Sequence, residues 1–192
     1  MKILTLNASP ITDGSTDLLL GKIAGSIQAA AIEPVENIIV RLNDYVITPC
    51  QSCGFSPEPD WCVLHDAIYP VYDQLVNCDI VLFGTPVYFD TVSAQAKLFI
   101  DRCNCLRPVD FETHEFKHLP IPKRLGAIVL VGSERQKFEC ARTVIAGFFK
   151  WVHIENVGVI TYSGSGFSPG AVKNDPESLE KAEKLGKILS QS

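Results

Sequence analysis

Apolar positions along the chain alternate between two periods, and the alternation repeats. Lys2–Asn7 reads as a short buried strand, and Thr16–Ala31 carries Leu19, Leu20, Ile23, Ala24 and Ile27 at helical spacing, with Ser15 expected as its N-cap. Asn37–Leu42 reads as a second strand, and Asn43–Trp61 as a long loop. Cys62–Asn77 is predicted as a helix with Val63, Leu64, Ile68, Val71, Tyr72 and Leu75 inward. Asp79–Gly84 is an unbroken apolar run, as in a strand covered on both faces. Val92–Cys103 is a helix, Asn104–Lys123 irregular, Leu125–Val131 a strand and Gln136–Trp151 a helix. Asn156–Thr161 is the fifth strand, Tyr162–Val172 a Gly/Ser/Pro loop, and Pro176–Leu189 an amphipathic closing helix. Five strand–helix alternations predict one domain over residues 1–192, a parallel sheet with helices on both faces in three layers.

In such a sheet, ligands bind beyond the carboxyl ends of the strands. The loops to inspect are therefore Ser9–Thr16, Pro86–Thr91 and Gly132–Arg135. The first joins a strand to a helix N-terminus, with hydroxyls at 9, 12, 15 and 16 and a glycine at 14. A helix start offers unpaired N–H donors and partial positive charge, which suits a phosphate; an ordinary capped turn is the plain alternative. No Gly-Lys-Ser/Thr occurs and no Gly-x-Gly-x-x-Gly follows the first strand, so neither a Walker loop nor a dinucleotide fingerprint is present. In the second loop, Tyr88 and Phe89 either pack on the next helix or face a flat ligand.

Composition narrows the field. The net charge of −5 offers no basic stripe, which excludes a nucleic-acid partner. No apolar run reaches the ~20 residues of a membrane span, and Met1–Asn7 is too short for a signal h-region, so a cytoplasmic protein is expected. Seven cysteines make an odd count. Cys78, Cys103, Cys105 and Cys140 fall in or beside apolar segments, where a reduced thiol behaves as a small hydrophobe, whereas Cys50, Cys53 and Cys62 crowd one loop. These three read as structural thiols, a redox pair or part of a metal site; with His65 they could suit zinc, although no second Cys-x-x-Cys supports that. His114 and His118 stand four apart in an irregular stretch and read as surface.

The segment Asp79–Arg102, "DIVLFGTPVYFDTVSAQAKLFIDR", resembles the central signature of the NAD(P)H-dependent FMN reductase and iron–sulfur flavoprotein group of flavodoxin-like proteins. Ser9-Pro10 followed by Gly14-Ser15-Thr16, the segment Cys50–Asp66 and the carboxyl region are similar to the same group. The resemblance implies a flavodoxin-like fold, five parallel strands in the order 2-1-3-4-5, and bound FMN. It places Ser9, Ile11, Gly14, Ser15 and Thr16 at the FMN phosphate. It places Pro86, Val87, Tyr88 and Phe89 at the isoalloxazine ring, and Gly132, Ser133 and Glu134 at its pyrimidine edge. Two departures stand out. Ile11-Thr12-Asp13 replaces a basic pair, so no local cation is expected at the phosphate. Ser56 replaces the third of four loop cysteines, so no iron–sulfur cluster is expected.

The implied activity is an oxidoreductase. Hydride passes from NAD(P)H through the flavin to a small acceptor such as a quinone or free flavin. The flavin carries that chemistry, so no catalytic side chain is assigned. The rivals are a flavodoxin-type electron carrier, which the mild charge argues against, and a scaffold that has lost flavin. A homodimer or homotetramer is implied by the resemblance alone.

Overall fold

In the computed structural model, residues 1–54, 60–117, 119–164 and 168–191 are described. Among the described residues, six strands and five α-helices follow one another as β1 (Lys2–Asn7), α1 (Ser15–Ala30), β2 (Glu36–Arg41), α2 (Val71–Val76), β3 (Ile80–Tyr88), β4 (Thr91–Val92), α3 (Ala94–Arg102), β5 (Arg124–Ser133), α4 (Glu139–Trp151), β6 (Ile154–Gly164) and α5 (Pro176–Leu189). The sheet runs β2-β1-β3-β5-β6, all parallel, and the two-residue β4 pairs antiparallel to β3. With β4 set aside, this is the expected order of five strands.

Alternation along β3 divides the core. Ile80 and Leu82 join Leu19, Ile23 and Leu185 under α1 and α5. Val81 and Phe83 face the other way, with Tyr72, Phe99, Phe148 and Phe149 of α2, α3 and α4. Gly84 permits a close contact in the first layer: a Cβ there would stand 2.6 Å from Leu20 Cδ1 and 2.7 Å from Thr16 Cγ2. The start of α1 is thereby set against the carboxyl end of β3. Among the described residues no helix is long and apolar enough to cross a membrane.

Two expectations need correction. The helix predicted over Cys62–Asn77 forms only from Val71. Proline at 70 has no N–H and disfavours helical geometry at Tyr69. The segment before it is also held by outside partners: the carbonyl of Leu64 and the carboxylate of Asp66 both accept from Arg102. Val63 is consequently exposed, while Ile68, Val71, Tyr72 and Leu75 are buried as predicted.

The second correction concerns Pro86–Thr91, predicted as loop. There β3 continues to Tyr88 and turns back through Phe89-Asp90 into β4. β1 leaves the sheet at Asn7, opposite Gly84, so Pro86 has a strand neighbour only in β5 and its missing N–H costs no ladder bond. Phe89 and Asp90 have φ of 49° and 62°, the left-handed pair of a two-residue hairpin turn.

Ser93 joins three elements. Its hydroxyl accepts from Ala96 N–H at the start of α3 at 3.3 Å and donates to the Ala8 carbonyl at 3.0 Å, all of it buried. Ser93→Ala is expected to cost about 2 kcal/mol, since a cap is lost and a buried carbonyl is orphaned. A lower urea midpoint with an unchanged slope is the measurement that checks this.

Candidate functional site

The carboxyl ends of β1, β3, β5 and β6 surround a cleft of about 340 Å3. Its walls are built by the residues that leave those strands.

At the end of β1, the Asn7 carboxamide accepts from Ser9 N–H at 2.8 Å and donates to the Asp17 carboxylate. Ser9 Oγ in turn accepts from Ile11 N–H at 3.2 Å, which curls the loop toward α1. Gly14 occupies the N-cap position in extended conformation, and no side chain caps the helix. The expected cap, Ser15, is instead the first helical residue, and its hydroxyl accepts from Val172 N–H at 3.3 Å. The first-turn N–H groups of α1 therefore look toward the cleft without a side-chain acceptor, as an anion site requires.

A cation from a distant segment does lie beside this loop, although it is not among the residues that line the cleft. Arg41, at the end of β2, chelates both Asp17 oxygens at 2.7 and 2.8 Å and donates to Thr12 Oγ at 3.4 Å. The hydrogen bond to Asp17 outweighs desolvation and raises the Arg41 pKa, with Asp44 and Asp13 acting in the same direction. A basic residue more than twenty positions downstream thus neutralises the carboxylate in the first turn of α1. Sequence spacing gives no hint of this, because only the β1–β2 pairing brings Arg41 beside Asn7.

Ser9, Ile11, Gly14, Ser15 and Thr16 all line the cleft. So do Pro86, Val87 and Tyr88, from the part of β3 that runs beyond β1, and Gly132 and Ser133, at the end of β5. Phe89 and Glu134 do not line it: Phe89 is 99 % exposed at the hairpin tip, and Glu134 is exposed. The Ser133 N–H is already given to Gln136 Oε1 at 2.7 Å, which leaves the Gln136 amide nitrogen as a donor beside the cleft. Lys137 N–H donates to Asp90 at 2.9 Å and ties this turn to the hairpin.

Sequence reasoning missed Val131, Gln136, Tyr162, Gly164 and the 168–171 segment. Part of the loop read as Tyr162–Val172, residues 165–167, lies outside the described residues. Gly170 was a findable signal. At φ 72° its absent Cβ would stand 2.9 Å from the Asp13 carbonyl, so this loop presses directly on the β1–α1 loop. Burial raises the pKa of both Tyr88 and Tyr162, so their phenols stay protonated donors at neutral pH.

The cysteine loop borders a second cavity. Cys50, Cys53 and Cys62 line a cavity of about 270 Å3 together with Arg102 and Cys105. Ser56 lies outside the described residues, as does His118. His65 does not join the thiols; it stacks on Tyr69 and lies 3.4 Å from Asp60. Among the described residues, no three His, Cys, Asp or Glu side chains converge on a single metal ion. Burial pushes the Cys105 thiol up to about 12, with Cys62 and Cys50 adding to the effect and Arg102 opposing it.

Residues 1–167 match the family model described as NADPH-dependent FMN reductase. The chain belongs to that family. An iron–sulfur flavoprotein of Methanocaldococcus jannaschii is 30% identical over 200 residues, covering 100% of this chain and 96% of the relative. A Bacillus subtilis protein assigned by name as an NAD(P)H-dependent FMN-containing oxidoreductase is 27% identical over 192 residues, covering 96% of each. Among solved structures, an FMN-dependent NADH-azoreductase of Bacillus anthracis in complex with FMN superposes with a TM-score of 0.70 at 14% identity, covering 99% of this chain and 100% of that one. At that identity the likeness concerns the flavodoxin-like fold. Membership in the FMN reductase family makes this chain a flavoenzyme-type protein, and its cleft lies where that fold binds ligands.

Proposed function

We propose that this member of the FMN reductase family holds FMN in the cleft and passes hydride from NAD(P)H to a small acceptor. The observation that carries the proposal is the start of α1. It has no side-chain cap, it is ringed by Ser9, Ser15 and Thr16, and it opens into the cleft opposite Pro86, Val87 and Tyr88. The residues present fit the cofactor: a donor-rich end for a phosphate, a mostly apolar wall for a flat ring, and close backbone approach at Gly14 and Gly170.

When bound, FMN supplies the acceptance and release of hydride, so the protein's own tasks are binding and positioning. The α1 N–H groups and the hydroxyls of Ser9, Ser15 and Thr16 hold the phosphate. Arg41 acts through Asp17 and Thr12, cancelling a carboxylate that would repel the anion and fixing the loop. Pro86, Val87 and Val131 form the apolar wall, and Tyr88 and Tyr162 border the cleft with protonated hydroxyls. Gln136, fixed through Ser133, presents a donor at the β5 end.

The test is a visible spectrum after FMN loading and gel filtration, followed by anaerobic stopped-flow mixing with NADH or NADPH. Retained flavin bands that bleach with one nucleotide are expected. A protein that keeps FMN but bleaches with neither is an electron carrier, and one that cannot keep FMN refutes the cleft assignment.

A further inference from the structure

Arg107 is surrounded by aromatic rings and by no acceptor for its side chain. It ends the 3-10 turn Cys103–Leu106 that follows α3, where its backbone N–H donates to the Asn104 carbonyl at 3.0 Å. Its guanidinium lies over the last residue of α4, with Cζ 3.5 Å from the Trp151 ring centroid. Cζ also lies 4.1 Å from the centroid of Phe116. Phe116 is brought there by its bridge to Val109, which is closed by bonds from Asp110 N–H to the Glu115 carbonyl and from Lys117 N–H to the Pro108 carbonyl, both 2.8 Å. Ring faces attract the cation and fix its plane, but they leave its N–H groups without conventional acceptors.

The contrast with the other buried arginines is informative. Arg102 and Arg124 spend their terminal nitrogens on carbonyls and, for Arg102, on Asp66. Among the described residues the Arg107 side chain meets only the two rings. Burial lowers its pKa, and no carboxylate opposes that effect. Two acidic groups of the same region are already engaged: Asp101 accepts from Lys97 at 2.6 and 2.7 Å, and Asp110 accepts from the N–H groups of Glu112 and Thr113. Lys150 adds positive charge 5.6 Å from the Trp151 centroid. A guanidinium held flat, with its charge uncompensated, is set to take a carboxylate through two parallel N–H bonds.

Apolar surface lies beside that fork. Trp151 is 50% exposed and Phe116 54%. A groove of about 300 Å3 between α3 and α4 is lined by Arg107 and Trp151 together with Ile100, Val144 and Phe148. Gly147 lines it too, and a Cβ there would meet nothing within 4 Å, so the groove is open at that point. A bare inorganic anion would satisfy the charge and leave the rings wet. The surface instead suits an anion that carries a flat apolar body.

We infer that Arg107, Phe116, Trp151 and the α3–α4 groove form a second binding site, for a small aromatic carboxylate: the guanidinium takes the carboxylate, and the ligand ring lies along Trp151 into the groove. The site shares no lining residue with the flavin cleft, and the inference does not depend on flavin binding.

Sodium benzoate is the probe, titrated into the full chain at constant ionic strength and followed by tryptophan fluorescence. Trp151 is one of two tryptophans and lies under Arg107. Saturation with a Kd of about 1 mM is expected, which so small a ligand can reach. Benzamide keeps the ring without the charge, and inorganic phosphate keeps charge without the ring; each should bind about tenfold more weakly or worse. Arg107→Lys keeps the charge but loses the planar fork, and should weaken benzoate by about tenfold or more. Arg142→Met removes a cation of α4 that lies outside the groove and should leave benzoate binding unchanged. Benzamide or phosphate binding as well as benzoate overturns the site, as does an equal loss in Arg142→Met. Benzoate binding that survives Arg107→Lys lies elsewhere, the flavin cleft included, and also overturns it. So does a wild type that shows no saturation by about 10 mM. The comparison of benzoate with benzamide uses wild type alone, so it decides the matter even if a variant fails to fold.

Discussion

Arg102→Met is expected to destabilise the protein by about 3–5 kcal/mol, the range for removing one partner of a buried ion pair. Arg102 is 1% exposed and, among the described residues, is held by five acceptor atoms: both oxygens of Asp66, the carbonyls of Thr48 and Leu64, and Cys62 Sγ. Methionine fills similar volume but donates nothing. The variant therefore keeps the packing and isolates the loss of donors. Asp66 is then left half-desolvated without its cation, which is the larger part of the penalty. The double variant Arg102→Met/Asp66→Asn should regain part of the loss, since a neutral amide tolerates the site. Urea midpoints of the four proteins in the cycle give the coupling.

The pH dependence has a definite sign. Burial alone would raise the Asp66 carboxyl, but the bonds from Arg102 and from Thr48 N–H outweigh it and hold the pKa below its ordinary 3.8. A group depressed in the folded state contributes stability that is fully present above the unfolded value and is lost as pH falls through the lower folded one. In Arg102→Met the guanidinium is gone and burial dominates, so the Asp66 pKa rises. The stability gap between wild type and variant should therefore narrow as pH is lowered from 7 toward 3. A gap that stays constant would mean that Arg102 acts through packing alone.

The parts of this molecule that were legible in the sequence are those governed by local pattern. The apolar run Asp79–Gly84 and the helical spacing of Thr16–Ala31 and Pro176–Leu189 mark a buried parallel sheet flanked by helices, and the sheet order agrees. Helical spacing misled at Cys62–Tyr69, because Pro70 and the distant Arg102 claim the groups that a helix would use. The hairpin after β3 was hidden because its turn is Phe-Asp, with no glycine at either left-handed position. Long-range partners were illegible in principle. Arg41 reaches Thr12 only across the β1–β2 pair, and Cys105 lines one cavity with the cysteine loop although it lies more than forty residues downstream of it. The cleft was readable at its β1, β3 and β5 edges, where a strand runs into a loop. It was not readable at Tyr162, which the fold supplies from the far end of the chain.

Gly14→Asp should separate the protein's stability from its cofactor affinity. Gly14 sits at φ −75° and ψ 173°, extended backbone that any residue adopts, so no left-handed strain opposes the change. The new Cβ would meet both Cγ2 and the backbone carbonyl oxygen of Ile11 at 3.3 Å, so the Ser9–Gly14 loop must give by a few tenths of an ångström. Aspartate is among the best N-cap residues and its charge favours a helix start, so apo-protein stability should hold or rise by a few tenths of a kcal/mol. The same carboxylate would accept from the first-turn N–H groups of α1 and place a negative charge where the proposed phosphate, itself carrying about −1.5 to −2 charges, must sit. FMN affinity should drop by about 100-fold or more, about 2.7 kcal/mol, measured by titrating apo-protein and following flavin fluorescence. Gly14→Asn carries the same shape without the charge and should lose much less. The difference between the two variants should shrink at high salt, because screening weakens repulsion and leaves steric effects untouched. If Gly14→Asp binds FMN as tightly as wild type, the phosphate does not lie at the start of α1, and the cleft must hold its ligand in another orientation.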